Sequence, residues 1–154
     1  MASKAKDELW DDPRITAFGM LLEAHAAVMA DVGRELEQAA GVPVQWFEVL
    51  LRLARSPEHR LRMTDLATQV RLSTSGLTRL VDRIEAAGHV TREACPSDRR
   101  GAYAVLTPDG EQVLRAALPA HLDTIDHRIA SPLGDQLSAA TDLLRLLRDG
   151  AGSS

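Results

Sequence analysis

Hydrophobic residues recur at steps of three and four through most of this chain, which is the period of amphipathic helices. A first helix is predicted from Asp12-Pro13 to Gly41, because a capping carboxylate precedes a proline that suits the first turn. Its apolar positions are Ile15, Phe18, Leu22, Ala26, Met29, Val32 and Leu36. Val42-Pro43 interrupts the pattern, and a second, shorter helix is predicted up to Ser56-Pro57.

Two further helices joined by a tight turn are predicted next. A minor strand is expected at Leu61 to Met63, and Thr64 is expected to cap the third helix. Arg71-Leu72 forms the turn, and Ser73 caps the fourth helix, which stops at Gly88. The apolar side of the fourth helix is expected to pack on the third helix across this turn.

A β-hairpin and two helices complete the predicted order. Residues 89–94 and 102–106 favour strands, and residues 95–101 join them in a loop too long for a two-residue turn. The fifth helix starts at Thr107-Pro108, and Pro119 inside it predicts a kink. The sixth helix starts at Ser131-Pro132 and ends near Gly150. The pattern therefore predicts a mainly α fold with four helices, a hairpin and two C-terminal helices.

The composition is that of a soluble globular protein, with 45% hydrophobic and 26% charged residues. The apolar runs are far shorter than the ~20 residues that span a bilayer, and charges occupy the N-terminus where a secretory signal would be apolar. The lone Cys95 cannot form an intramolecular disulfide. We therefore expect a cytoplasmic protein that does not associate with membranes.

The net charge of −4 argues against non-specific binding to nucleic acid, but the charges are segregated along the chain. Residues 52–100 contain ten arginines and six acidic residues, a balance of +4, so the remainder carries −8. A basic middle between acidic ends is compatible with a local DNA-binding surface.

When residues 74–84 are placed on a helical wheel at ~100° per residue, the fourth helix has an apolar face and a polar face. Its apolar face carries Leu77, Leu80, Val81 and Ile84. Its opposite face, with flanks, carries Ser73, Thr74, Ser75, Thr78, Arg79, Asp82 and Arg83. Short hydroxyls at a helix start can approach phosphates, and arginines can fork onto guanine edges. The alternative interpretation is a solvated helix face with salt bridges among Arg79, Asp82 and Arg83.

The hairpin favours the DNA-binding interpretation, because Asp98-Arg99-Arg100 lies at its tip. Two adjacent arginines repel each other and are poorly placed for core contacts, whereas Asp98 can brace one of them. Arginine suits a narrow, electronegative minor groove. The alternative is a charged loop that keeps the hairpin soluble.

The segment LATQVRLSTSGLTRLVDRIEAAGHVTREACPSDRRGAYAVLTPDGEQVL resembles the winged helix-turn-helix core of MarR (multiple antibiotic resistance regulator) transcription factors. The resemblance covers about residues 12–148 and is strongest from Leu66 to Gly110. It rests on the S-T-S-x-x-T-R-L-V-D-R-I-E helix, the A-G-H-V strand entry, the D-x-R wing and the L-T-P-x-G exit, in that order.

The resemblance implies a homodimer joined through its first and last two helices, with double-stranded DNA as its partner. Residues matching Thr74, Ser75, Thr78, Arg79 and Arg83 would lie in successive major grooves. Asp98 would hold Arg100, which with Arg99 would enter the flanking minor groove. Members of the family are mostly repressors that small, often phenolic or anionic aromatic compounds release from DNA.

The apolar stripes of the terminal helices agree with such a dimer, because a ~65-residue core cannot cover all of them and a second copy can. A dimer would present two recognition helices about one duplex turn (~34 Å) apart to a pseudo-palindromic promoter site. We expect an extension at 1–11, a dimerisation helix at 12–42, a DNA-binding domain at 43–107, dimerisation helices at 108–149 and a tail at 150–154.

A small-molecule effector would bind in the crevice between the helical stem and the DNA-binding lobe, as the resemblance implies. The candidate lining residues are His25, Met29, Trp46, Phe47 and His121, and the alternative, which the sequence favours for Trp46 and Phe47, is that these aromatic residues belong to the core. Cys95 is a weaker candidate sensor, whose thiol pKa a nearby Arg92 would lower, and the alternative is an inert small residue.

The sequence contains no Ser-His-Asp grouping, glycine-rich phosphate loop or metal-ligand spacing. We therefore expect no catalytic residues, no metal site and no cofactor. The sequence predicts a ligand-relieved homodimeric repressor, and the alternative is a winged-helix module for protein–protein contact that has lost DNA binding.

Overall fold

The structure, a computed structural model, describes residues 10–150, and of Arg99 and Arg100 it describes the backbone alone. The first part of the chain forms helices α1 (Pro13–Ala40) and α2 (Val44–Ala54), a 3-10 turn (Pro57–His59) and strand β1 (Arg60–Arg62). Helices α3 (Met63–Gln69) and α4 (Thr74–Ala86) and strands β2 (Val90–Cys95) and β3 (Asp98–Leu106) follow.

The C-terminal part is helical. Helix α5 spans Pro108–Ile125 and continues through a π-helical segment, Asp126–Ala130, and a short α-helical turn, Ser131–Leu133. A 3-10 turn at Gly134–Gln136 leads to helix α6, Leu137–Gly150. The predicted order of four helices, a hairpin and further helices is confirmed.

The described chain divides into two compact units, one formed by Gly33–Asp123 and the other by residues 10–32 and 124–150. In the central unit β3 is the middle strand of a three-stranded antiparallel sheet and pairs with both β1 and β2. Leu61 lies opposite Ala104, and Thr91 lies opposite Val105. The minor strand expected near Leu61 is therefore part of this sheet.

The core of the central unit takes side chains from α2, α3, α4, β2 and β3. The residues that are at most 2% exposed include Leu50, Leu53, Leu66, Leu77, Leu80, Val81, Ile84, Val90 and Ala104. Each full burial of a large aliphatic side chain contributes roughly 1.5–3 kcal/mol. Because these positions recur at helical spacing in α2 and α4, burying them also determines which face of α4 is left toward solvent.

The terminal unit leaves many large apolar side chains exposed. On α1 they include Ile15, Phe18, Met20, Leu21 and Leu22, and on α6 they are Leu137, Leu143, Leu144, Leu146 and Leu147. An ion pair between Arg128 and the mostly buried carboxylate of Asp31 joins the π-helical segment to α1. Ile15, Phe18 and Leu22 of α1 belong to the apolar stripe that the sequence predicts for the first helix, as do most of the exposed leucines of α6 for the sixth, whereas Val32 and Leu36 of the predicted first stripe are buried.

By length and composition α1 could cross a bilayer, because an 18-residue window in it has a mean hydropathy of 1.4 and is only 6% buried. Glu23 and Asp31 interrupt the apolar residues of α1, so no uninterrupted apolar run in it reaches the ~20 residues that span a bilayer, although its average hydropathy is high.

Two predicted helix boundaries are wrong. Helix α3 starts at Met63 with Arg62 at its N-cap, so Thr64 lies inside the first turn and does not cap it. The break before α6 lies at Gly134, with φ 50°, and not before Ser131. Pro132 is accommodated because the preceding π-helical segment already relaxes the regular hydrogen bonding.

The hairpin loop is also shorter than predicted. Cys95 pairs with Asp98 across the two residues Pro96 and Ser97, whereas Ala94 pairs with Ala102. Residues 99–101 therefore form a bulge in β3 and do not lengthen the turn.

Candidate nucleic-acid interface

Helix α4 begins and ends where its sequence indicates. The Ser73 hydroxyl accepts a hydrogen bond from the Gly76 N–H at 3.1 Å, which satisfies one of the free donors of the first turn. After the helix, Gly88 takes a φ of 83°, a conformation that favours glycine. In the turn before it, Arg71 has a φ of 55°. The predicted cap, stop and tight turn are confirmed.

The predicted polar residues of α4 all lie on its exposed face, since the opposite face is buried in the core. These residues are Ser73, Thr74, Ser75, Thr78, Arg79 and Arg83. The hydroxyls of Ser73 and Ser75 are 3.3 Å apart, and the Thr78 hydroxyl donates to the Thr74 carbonyl at 2.8 Å. Thr78 is exposed, and because its hydroxyl hydrogen is already donated, its oxygen is left as an acceptor beside its methyl group, a pair of contacts suited to base edges.

The two arginines of this face, Arg79 and Arg83, form no ion pair with any carboxylate among the described residues. The alternative interpretation of this face was a set of salt bridges among Arg79, Asp82 and Arg83, and no such salt bridge is observed among the described residues. The Asp82 carboxylate instead accepts a hydrogen bond from Arg92 at 2.7 Å. Two guanidinium groups one helical turn apart thus keep their donors available on an exposed surface.

Arg92 of β2 binds α4 through several hydrogen bonds, and the sequence did not single it out for this role. Its guanidinium donates to Glu85 at 2.6 Å, to Asp82 at 2.7 Å and to the Thr78 carbonyl at 3.2 Å. Its backbone N–H donates to Glu85 at 3.0 Å. Two features of the sequence could have indicated this contact. Arg92 lies two residues after Val90 and therefore on the same, inward side of β2, and the carboxylates of Asp82 and Glu85 are spaced by three on α4.

The hairpin brings further polar groups beside α4. Arg62 donates to the Ser97 hydroxyl in the hairpin turn at 3.0 Å, and its guanidinium lies 5.8 Å from the Tyr103 ring centroid. The Asp98 carboxylate lies over Gly101, where an added Cβ would meet Oδ2 at 3.0 Å. A cleft of about 300 Å³ between α4 and the hairpin is lined in part by Thr74, Thr78, Arg92 and Asp98.

The side chains of Arg99 and Arg100 lie outside the described part of the chain, so the predicted brace between Asp98 and Arg100 stays a prediction. Their backbone lies in the β3 bulge that follows the two-residue turn. This position lies next to Asp98, which lines the cleft between α4 and the hairpin.

Cys95 is buried, with 5% of its surface exposed. A hydrogen bond from the Ser97 hydroxyl lowers the pKa of the thiol, and the charge of Arg62 adds to this effect. The sulfur and the hydroxyl oxygen are 3.3 Å apart. The neighbours that lower the pKa are thus Ser97 and Arg62, whereas the sequence suggested Arg92.

Of the candidate effector residues, Phe47 and His121 lie together, with ring centroids 4.5 Å apart. Trp46 instead lies at 6.1 Å from His89. The Nδ1 atoms of His89 and His121 are buried and have no hydrogen-bond partner within the described residues, and burial lowers the pKa of His121.

The other two candidates, His25 and Met29, are exposed residues of α1 in the terminal unit. Phe47 is only 3% exposed, so its interpretation as a core residue agrees with its burial.

Comparison with known proteins assigns the family. Residues 40–101 match the sequence model of the MarR family. AbsC, a MarR family transcriptional regulator from Streptomyces coelicolor, is 30% identical, with 93% of this chain and 97% of AbsC covered and a TM-score of 0.86. The chain belongs to the MarR family. Sco3205, a MarR family regulator from the same organism solved in complex with DNA, is 34% identical, with 90% and 88% covered and a TM-score of 0.85.

The repressor MprA of Escherichia coli (strain K12) is 25% identical over 144 residues, which is 91% of this chain and 80% of MprA. MarR proteins are DNA-binding transcriptional regulators and not enzymes. The winged helix-turn-helix predicted from the sequence is confirmed, with α3 and α4 as the helix-turn-helix and β2 and β3 as the wing.

Proposed function

We propose that this protein is a homodimeric repressor that binds a pseudo-palindromic promoter site and is released from it by a small ligand. One observation is central: the exposed face of α4 carries hydroxyls and two arginines without a carboxylate partner among the described residues. A related chain, Sco3205, was solved in complex with DNA, and a second relative, MprA, is a repressor.

In the proposed complex the start of α4 enters the major groove. Ser73, Thr74 and Ser75 lie where a helix N-terminus offers free N–H groups and hydroxyls to phosphates. Arg79 and Arg83 donate to guanine edges or phosphates, and the Thr78 oxygen and methyl group contact base edges. Each well-formed bidentate contact to a base discriminates by about 1–3 kcal/mol.

The wing contributes arginine to the flanking minor groove. Arg99 and Arg100 belong to the bulge at the hairpin tip, next to Asp98. Arginine is favoured in narrow minor grooves because the electrostatic potential there is strongly negative. We propose that Asp98 orients Arg100 for this contact.

The exposed apolar rows of α1 and α6 support a dimer over a membrane anchor. A second copy can cover both rows with one symmetric interface, whereas bilayer insertion of α1 would bury Glu23 and Asp31 in hydrocarbon. We propose residues 12–42 and 108–149 as the dimerisation regions, residues 43–107 as the DNA-binding domain, and the cytoplasm as the compartment.

The proposed effector is a small aromatic or anionic compound. Phe47 and His121 supply an aromatic contact and an imidazole nitrogen without a partner in the described chain. His25, Met29 and Trp46 stay candidates from the sequence. A ligand that binds one arrangement of the recognition helices more tightly would shift the dimer away from its DNA-bound form.

The test is a titration of the protein with the DNA upstream of its own gene and with a scrambled duplex, at several salt concentrations. We expect preferential binding to the upstream DNA that weakens steeply with salt, because cationic side chains displace counterions from phosphates. Equal binding to both duplexes, or binding without a salt dependence, would contradict the proposal and favour a module for protein–protein contact.

A further inference from the structure

Arg92 has an unusual position for an arginine, because it lies on the wing strand and makes its hydrogen bonds to the recognition helix. Its side chain is 27% exposed, and its guanidinium is shared between Asp82 and Glu85. The same group donates to the Thr78 carbonyl of α4. These contacts join β2 to three successive turns of α4.

Asp82 is the one acidic residue that the helix geometry places next to Arg79. Side chains three and four apart on a helix are neighbours, and the positions at these distances from Arg79 are Ser75, Gly76, Asp82 and Arg83. An ion pair between Arg79 and Asp82 would occupy donors of the guanidinium and neutralise its charge toward DNA. Arg83 has no acidic residue at these distances.

Arg92 is the stronger partner for Asp82 because of where each arginine lies. Arg79 is exposed, so a pair with it would be screened by water and salt. Arg92 is half-buried and already oriented by Glu85 at 2.6 Å, so its hydrogen bond to Asp82 needs little further ordering. The observed 2.7 Å contact of Asp82 with Arg92 follows from this difference.

We propose that Arg92 is a positioning residue of the DNA-binding surface: it holds Asp82 away from Arg79 and so leaves the Arg79 guanidinium free to bind DNA. The inference rests on the proposed function. Arg92 acts through Asp82 in this account and needs no contact of its own with DNA.

The experiment compares variants on a duplex that the wild-type protein selects from a random-sequence library. Arg92→Met removes the guanidinium and keeps an unbranched apolar stem, and Asp82→Ala removes the carboxylate that would be released. The double variant combines the two. Arg115→Met is the matched control. This substitution also removes an arginine that forms an ion pair, here with Glu111 of the same helix at 2.6 Å, and it causes the same change in net charge.

We expect Arg92→Met to bind about tenfold more weakly than wild type, the loss typical of one good groove contact, with a shallower salt dependence. Arg115→Met and Asp82→Ala should stay within about twofold of wild type, because neither neutralises Arg79. The double variant should recover to within about threefold, because no carboxylate remains to pair with Arg79.

The double variant separates this role from a direct one. If it binds as weakly as Arg92→Met, Arg92 contacts DNA itself or only supports the fold, and the proposal is wrong. Equal affinities of Arg92→Met and Arg115→Met would overturn it too. Should Arg92→Met not fold, as judged by its melting temperature, Arg92→Lys replaces it in the single and the double variant, with a smaller loss expected and the same recovery.

The outcome for wild type keeps the two proposals apart. If the wild-type protein enriches no sequence from the library, the proposed function fails before any variant is measured. If it enriches one and Arg92→Met binds that duplex as wild type does, only the role of Arg92 fails.

Discussion

Thr107 and Gly110 hold the start of α5 close to the segment that follows α4, the recognition helix. The Thr107 N–H donates to the His89 carbonyl at 3.1 Å, and its hydroxyl donates to the Gly88 carbonyl at 2.7 Å. The same hydroxyl accepts the Gly110 N–H at 3.0 Å. A Cβ at position 110 would lie 2.1 Å from the His89 carbonyl oxygen, so the two segments approach as closely as they do because residue 110 is glycine.

Gly110→Ala should therefore destabilise the protein by about 1–3 kcal/mol or more, because the added methyl meets backbone that cannot move without breaking the Thr107 contacts. Urea denaturation measures the change in the free energy of unfolding. Gly33→Ala is the matched control, since its Cβ would meet Val44 at 3.5 Å, an ordinary contact, and a helical alanine is favoured over glycine. Equal effects of the two substitutions would contradict this account.

At the residue scale the sequence predicts roles that depend on neighbours along the chain. The Ser73 cap, the Gly88 stop and the Thr107-Pro108 helix start follow from local rules, and all three are found. Two other contacts join separate elements of the fold. One is between Gly110 and His89, and the other is the hydrogen bond from Arg92 to Asp82. No local pattern reveals such contacts, since they depend on how the elements pack.

At the element scale, α4 is set by two independent constraints that agree. Its apolar positions are buried against the core, and its cap satisfies an N–H at the start of the helix. Because burial fixes rotation about the helix axis and the cap fixes the start, the six polar residues of its outer face are displayed in one defined arrangement.

Ser73→Ala should lower the free energy of unfolding by about 1 kcal/mol, the usual contribution of an N-cap hydroxyl. Ser73→Asn should stay close to wild type, because its side chain accepts the same hydrogen bond without adding charge. Ser75→Ala removes a neighbouring hydroxyl that does not cap the helix, and its effect should stay within about 0.5 kcal/mol. Chemical denaturation of the three variants gives these values, and a loss in Ser75→Ala as large as that in Ser73→Ala would refute the cap.

The helices with a strong hydrophobic period and the presence of the strands are predicted well, whereas the pairing register of the hairpin is not. The amphipathic helices α1, α2 and α4 follow from hydrophobic spacing. The hairpin loop was predicted too long because register is fixed by strand pairing, which absorbs residues 99–101 as a bulge. The π-helical segment at Asp126–Ala130 lies within a continuous helical pattern and carries no local sequence signal.

At the scale of the whole molecule, segregation of charge reconciles an acidic protein with DNA binding. The +4 balance of residues 52–100 belongs to the winged helix, whereas the −8 balance belongs to the rest of the chain. In the proposed dimer the acidic helices lie away from the phosphates, which repel them. The exposed apolar rows of α1 and α6 are then available to form the proposed interface between the two copies.

A hydroxyl-radical footprint of the protein on a duplex selected from a random library would reveal whether a dimer contacts DNA through two copies of α4. We expect two equivalent protected patches related by two-fold symmetry, their centres about one duplex turn (~34 Å) apart, each flanked by minor-groove protection from the wing. Substituting Arg99 and Arg100 by alanine should remove the flanking protection and leave the central patches. A single asymmetric patch, or protection that does not depend on sequence, would contradict a dimer that reads DNA with paired copies of α4.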